Sequence, residues 1–449
     1  MSRLIAGAAK CEIRIPKGYP AAEGFGNIYD PIHARAVAVG HAPSGSDSRD
    51  GNAVAEDAMK PEFLLISLEL TSLMKDEAEG LKQQVAEAVS VDDQNIWVCC
   101  THSFSSPHLM PADRLKSDEL RALCDEYRSS IRDAAAAAAK KAVEKAVPVT
   151  LSVGSTQCDI VANRNIETPD GWWIGTNGPG LTDRTVTTVS FMKADGSPEA
   201  VLLHFGMQPS VMDQVTLEDG KKPITPDVSG LACAKLEAQF PGSTAIWLIG
   251  AAGDQAPVKK GMVTTYRDGA LHSENLGSRG FDICEELSEK LKNAAAVAVN
   301  QGRVQRHVPA NEEISGADQG STVRTAYRTL TLPGKKMLKD LHDLKPVHAW
   351  NYEPAGDGET LLSAVRIGGL RLMGVEPELN CSTAKDIAAE AGTAPDAPVL
   401  ICTMVNGAAK YMADEASYDR FCYEAMNSPW AKGCAEKLAG ACTDLLKTV

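Results

Sequence analysis

No run of basic residues, no Cys-x-x-Cys pair and no stretch of about 18 uninterrupted apolar residues occurs anywhere in this chain. The first absence, with 45 basic against 59 acidic side chains and a formal charge of −14, argues against a nucleic-acid or anionic-membrane partner, since both are held by basic surfaces. The second removes zinc ribbons and thiol redox motifs. The third leaves no segment to span a bilayer as a helix. The opening MSRLIAGAAKCEIRI has no apolar run after a basic start, so it reads as neither a secretory signal nor an anchor,. Twelve cysteines in such a chain are then expected to be reduced, mostly buried thiols of a cytoplasmic protein.

What is present is an ordinary globular composition. The 449 residues are 44% hydrophobic and 23% charged, enough for a substantial core. Short Val/Ile/Leu-rich segments bounded by Gly, Pro or Asp read as strands: 4–8, 34–40, 63–70, 96–100, 149–153, 187–191, 200–205, 244–249, 371–375 and 399–404,. Helical spacing runs over 75–90, 119–146, 230–239 and 275–300,. The alternation predicts an α/β fold with mixed sheets flanked by helices, in one layered domain over 1–449, with 63–100 as a βαβ unit. The Gly/Ser/Asp tract at 43–57 reads as a surface excursion. Residues 303–331 look polar and strand-like, 333–357 look like helix plus loop, and 303–360 together read as a peripheral insertion. No internal repeat is visible.

Loops after such strands are where α/β proteins collect chemistry. The strand ending at Cys100 runs into Thr101-His102-Ser103-Phe104-Ser105-Ser106-Pro107-His108, which makes His102 the first of the nine histidines to consider. Three further strand ends carry polar groups: Gln208 before Pro209, Asp254 in Gly253-Asp254-Gln255, and Glu376 before Pro377. A carboxylate directly after an apolar strand is poorly explained by packing alone.

Taken together, these segments resemble the N-terminal catalytic domain of the neutral/alkaline ceramidases, over roughly residues 3 to 425. Thr101-His102-Ser103-Phe104-Ser105-Ser106-Pro107 is similar to that family's Thr-His-Thr-His-Ser-Gly-Pro loop. Asp30-Pro31 through Ala34-Arg35-Ala36, Ser67-Leu68-Glu69-Leu70, Asn163-Arg164, Gly253-Asp254 through Pro257, Glu376-Pro377 and Asn406 through Tyr411 follow in family order. The resemblance implies a zinc ion held by two histidines, a glutamate and a tyrosine, with bound water attacking an amide carbonyl. Carried over by position, His102 is the first metal ligand, Glu376 the carboxylate ligand and Tyr411 the tyrosine. Gln208 stands where the family has its second metal histidine, and Phe104 where the loop has its second histidine.

Three readings stay open. A divalent metal persists with altered ligands, drawn from His102, Glu376, Gln208, Asp254 or Glu69 and better suited to Mn²⁺, Mg²⁺ or Ca²⁺. His108 could then restore a nitrogen donor, whereas His204 lies roughly 13 Å along the strand from Gln208. Alternatively, His102, Glu376, Asp254 and Arg164 run acid/base chemistry without a metal, as a lyase or isomerase. Or the pocket only binds a small molecule, with Trp172 and Trp173 stacking on it. The preferred reading is a metal-assisted C–N bond hydrolase: His102, Arg164, Asp254 and Tyr411 catalytic, His102, Glu376 and Gln208 at the metal, and Gln208, Phe104 and His108 facing substrate. With 8 Phe and 9 Tyr, a small soluble substrate is expected rather than a lipid. The chain is further read as free of membrane insertion, with a homo-oligomer left open.

Overall fold

The structure is a computed structural model that describes residues 3–42, 59–268, 270–305, 322–337, 345–349, 351–394 and 397–449. The tract at 43–57 lies outside these residues. Three sheets are built to one plan. The first places Leu4–Glu12 antiparallel to His33–His41, which is antiparallel to Phe63–Leu68, which lies parallel to Ile96–Cys100. The second repeats this with Thr150–Gln157, Thr185–Met192, Pro198–Phe205 and Thr244–Ile249. The third does so with Val323–Lys335, Pro354–Ile367, Leu370–Val375 and Val399–Cys402.

In each sheet the parallel pair is joined by a helix: Lys75–Val89, Asp227–Gln239 and Cys381–Glu390. After the last strand of each comes a further helix: Asp118–Glu144, Arg279–Gln305 and Cys434–Leu446. The chain therefore repeats one β-β-β-α-β-α unit three times, which corrects the reading of no internal repeat. Topology survives where sequence does not, because only the apolar period of each element has to be kept.

That period explains the packing. In Phe63–Leu68, Leu64, Ile66 and Leu68 pack with the first unit's helices, while Phe63 and Leu65 join a core shared by all three sheets. Leu202, Ile246 and Leu248 of the second sheet and Val365, Leu372 and Leu400 of the third meet in that same core. The outer faces of the second and third sheets are covered by their own helices. Strands in such a sandwich are buried on both faces and read as continuous apolar runs, which is why they were legible. No helix among the described residues is long and apolar enough to cross a membrane.

The long helices lie unusually close to the first strands of their units. Asp118–Glu144 starts at Ser117, whose hydroxyl accepts from Leu120 N, and buries the small side chains Ala134, Ala135, Ala138, Ala139 and Ala142,. A Cβ on Gly7 would sit 2.1 Å from Ala142 O, and one on Gly154 would sit 1.9 Å from Ala298 O. The same backbone approach thus recurs in two units. Gly154→Ala is expected to lower stability by about 1–3 kcal/mol, read as a lower urea midpoint; an unchanged midpoint would show that the helix can retreat without loss.

Residues 303–360 are not peripheral where described. Val323–Lys335 and Pro354–Ile367 form the long hairpin of the third sheet, and Pro354–Ile367 pairs with the strand that leads to Glu376. The helix-plus-loop reading of 333–357 falls partly on 338–344 and 350, outside the described residues, and its two ends are strand. The strands Val161–Thr168 and Gly171–Asn177, which form a hairpin, were not among those assigned from the sequence. The hairpin's first strand is largely polar, and it pairs with Gln255–Pro257 rather than with a main sheet.

Candidate functional site

The carboxyl ends of the three parallel pairs are tied to one another, and the site lies where they meet. Thr403 N donates to Ile249 O, Asn406 N to Val98 O and Phe104 N to Pro209 O. Beyond Cys100 the chain turns sharply. His102 N donates to Leu70 O at 3.0 Å, and His102 itself has φ +65°, a left-handed conformation unusual for a side chain with a Cβ and often found at functional sites. Ser103 and Ser105 pin the loop to Pro226 and Thr225 through their hydroxyls.

This turn sets the imidazole. His102 Nδ1 lies 2.6 Å from Thr71 O, and a carbonyl can only accept, so Nδ1 carries the hydrogen and the neutral ring keeps its lone pair on Nε2. Nε2 is 3.2 Å from Glu378 Oε2. That is ion-pair distance, but the contact is off the hydrogen-bond line and leaves buried Nε2 without an aligned partner. Burial alone would depress the His102 pKa, yet the Glu378 carboxylate outweighs it and holds the value above that of free histidine,. Reciprocally, burial would raise Glu378, while His102, then Arg164 and Gln208, bring it below the ordinary carboxylate value.

From Glu378 a buried polar chain continues. Gln208 Nε2 donates to Glu378 Oε2 at 2.9 Å, Arg164 Nη1 donates to Gln208 Oε1 at 2.8 Å, and Arg164 Nε donates to Glu424 Oε1 at 2.8 Å. Arg164 is 5% exposed, and its Nη2 is buried with no hydrogen-bond partner. Burial would weaken its basicity, but Tyr411, Glu424 and Glu378 together keep its pKa well above the usual value. The guanidinium stands 5.3 Å from the ring centre of Tyr411 and 5.5 Å from that of Tyr423,. Glu378 and Tyr411 are brought abreast by the short parallel pairing of Glu378–Leu379 with Tyr411–Met412.

A cavity of about 990 Å³ opens beside this chain, with Phe104, Arg164, Gln208, Tyr411 and Tyr423 on its wall. His102 and Glu378 lie directly behind that wall. The Phe104 ring rests on the imidazole, with centroids 4.5 Å apart, and Gln208 bonds Glu378. Trp173 also lines the cavity, packed edge-on against Tyr423, whereas Trp172 lies under Arg420.

The structure thus brings together His102, Arg164, Gln208, Phe104 and Tyr411 as expected. Others are placed elsewhere. Glu376 is not the carboxylate beside His102: its Oε2 accepts from Leu361 N at 2.7 Å and its Oε1 lies 3.6 Å from Lys75 Nζ. Glu378 takes that place, two residues on, because Pro377 ends the extended run and the chain then pairs with Tyr411–Met412. The Glu-Pro-Glu pattern was the only signal for it. His108 turns away to Glu23, 2.9 Å from Nδ1. Glu69 is consumed by Arg35 and His33, and His204 by Ile401 O.

Asp254 does not face the cavity but braces it. Its two carboxylate oxygens accept from Cys381 N and Asn163 Nδ2, both at 2.9 Å, and its backbone oxygen accepts from Arg164 N. Burial raises its pKa to about 6. Glu424 and Tyr423, from a short helical turn at Tyr423–Met426, had no sequence signal.

The residues present do not fit the zinc site that the resemblance implies. Among the described residues no cluster of three or more His, Cys, Asp or Glu is arranged to hold an ion. Next to His102 and Glu378 stands a carboxamide that turns its NH₂ to the carboxylate and its oxygen to a guanidinium. Gln208 thus stands where a second imidazole would complete a metal set, and the positive charge beside it is the Arg164 guanidinium,.

No known family description and no curated protein matches this sequence. Among solved structures, 99% of the chain superposes on 74% of the neutral ceramidase from Pseudomonas aeruginosa, with a TM-score of 0.72 at 16% sequence identity. All of the chain superposes on 76% of a ceramidase complexed with C2, with a TM-score of 0.71 at 16% identity. The chain therefore has the neutral ceramidase-like fold, a mixed α/β architecture, as its motifs implied.

Proposed function

We propose that this chain hydrolyses a C–N bond of amide type in a small soluble substrate, with His102 as general base. One observation carries the reading: His102 Nδ1 is held 2.6 Å from Thr71 O, which turns Nε2 towards the Glu378 carboxylate 3.2 Å away. The neutral ceramidase-like fold supports the amide class. Once Phe104 turns aside from the imidazole, Nε2 takes a proton from water as the water oxygen bonds to the amide carbon. Glu378 stabilises the imidazolium so formed. The charge of the nearby Arg164 guanidinium stabilises the oxygen that becomes anionic. The C–N bond then breaks, and the imidazolium returns its proton to the leaving nitrogen. Tyr411 stays protonated, since burial raises its pKa well above that of free tyrosine, and is a donor to the same centre.

All twelve cysteines are unpaired, which suits a reducing compartment, and we place the enzyme in the cytoplasm. The test is amine release from a panel of N-acyl compounds by protein purified without a histidine tag, with elemental analysis and chelation run in parallel. Amine release that survives chelation, without stoichiometric metal, is the expected result. Tightly bound metal whose removal abolishes turnover would overturn the mechanism. Turnover without amine release would instead indicate elimination or isomerisation by the same pair.

A further inference from the structure

We propose that the substrate of this site carries a carboxylate, seated between Arg164 and Lys260 on the cavity wall, so that the enzyme acts on N-acylated amino acids or like amide-bearing carboxylates. The inference rests on the hydrolase reading above and names its substrate class. Arg164 commits Nε to Glu424 and Nη1 to Gln208, which leaves Nη2, buried beside Tyr411 but without an aligned hydrogen-bond partner, as the charged donor of a residue on the cavity wall. A buried donor without an acceptor is costly unless something fills its place.

Lys260 lies on the same wall, half-buried, and among the described residues no carboxylate comes within ion-pair distance of it. Burial and the nearby Arg164 charge lower its pKa to about 8, against the weaker pull of Asp213 and Asp227. Two cations that repel each other on one cavity wall create a place for an anion,. The neighbouring Lys259 does not serve, because Glu286 takes it at 2.7 Å and is itself shared with Lys290. Asp282 sits exposed. A carboxylate accepts from a guanidinium and an ammonium together, and Trp173, Tyr423 and Met262 on the wall suit an apolar side chain or acyl group beside it,.

The test pairs each charged probe with its neutral amide: N-acetyl-leucine and N-acetyl-phenylalanine against the corresponding carboxamides, followed by amine release and, separately, by calorimetric binding. The carboxylates are expected to give the higher kcat/KM. Lys260→Met is expected to raise their KM by about tenfold or more, the worth of one charge-assisted hydrogen bond, with little change for the carboxamides, and Lys260→Arg to restore most of it. Equal cleavage of carboxylates and carboxamides by the wild type would overturn the carboxylate site while leaving amide hydrolysis standing. Lys260-dependent binding of the carboxylates without amine release would support the anion site and overturn the hydrolase reading. Absence of both binding and cleavage would overturn both.

Discussion

Glu378→Gln and His102→Ala are each expected to lower kcat by about 10²–10⁴-fold, the range for loss of a positioned acid/base group, while Glu376→Gln leaves kcat within a few-fold of wild type. The contrast is sharp because the two glutamates are separated only by Pro377 and are both nearly inaccessible, at 2% and 6% exposure. Glu378 faces the imidazole; Glu376 accepts from the backbone of Leu361, a role that a glutamine oxygen can keep. Glu378→Gln removes the charge that holds His102 above its free value, so any residual activity should show its acidic limb shifted to lower pH. Steady-state kinetics across pH on the three variants decide it. Loss of turnover in Glu376→Gln with folding intact, and none in Glu378→Gln, would reverse the assignment.

Glu69→Ala is expected to cost about 3–5 kcal/mol of stability, the penalty for leaving a buried charge without its partner. Glu69 and Arg35 are each 1% exposed. Arg35 Nε donates to Glu69 at 2.9 Å, Arg35 Nη1 bonds Glu237 and Ala245 O, and His33 donates its backbone N–H to Glu69 at 2.7 Å. Glu237 and Ala245 belong to the second unit, so this network bolts the first unit to the second. The pH dependence has a definite sign. Burial would raise the Glu69 pKa, but Arg35 and His33 more than offset it and hold it below the ordinary value. Its contribution is therefore present above an unfolded-state pKa of about 4.3 and is lost as pH falls through the lower folded-state value. Urea unfolding at pH 7 and at successively lower pH measures both effects. A wild-type midpoint independent of acidity, with Glu69→Ala no weaker, would show that the network carries no net stability.

The strands nearest the site were legible because burial on both faces leaves a plain apolar run, as in Ile96–Cys100 and Thr244–Ile249. The hairpin at Val161–Thr168 and Gly171–Asn177 was not, because its strands, beyond the pairing with Gln255–Pro257, belong to no main sheet. It nonetheless delivers Arg164 and Trp173 to the cavity. His102 could be singled out since a strand end and a loop rich in Ser and His mark it locally. His108 shared that loop and was misjudged, since the choice between the cavity and Glu23 depends on a residue 85 positions away.

Local order along the chain was enough to settle the main apolar strands and four of the helices, that they alternate as an α/β protein, and that polar groups stand at strand ends, because each of these follows from apolar spacing and turn chemistry over a few residues. Packing in three dimensions settled the threefold repetition of the β-β-β-α-β-α unit, the replacement of Glu376 by Glu378 beside the imidazole, and the buried pairing of Arg164 with Gln208 and Glu424. Those outcomes depend on which distant backbone closes each turn and on which charge is left to balance another once water is gone, and no short window of sequence contains both partners.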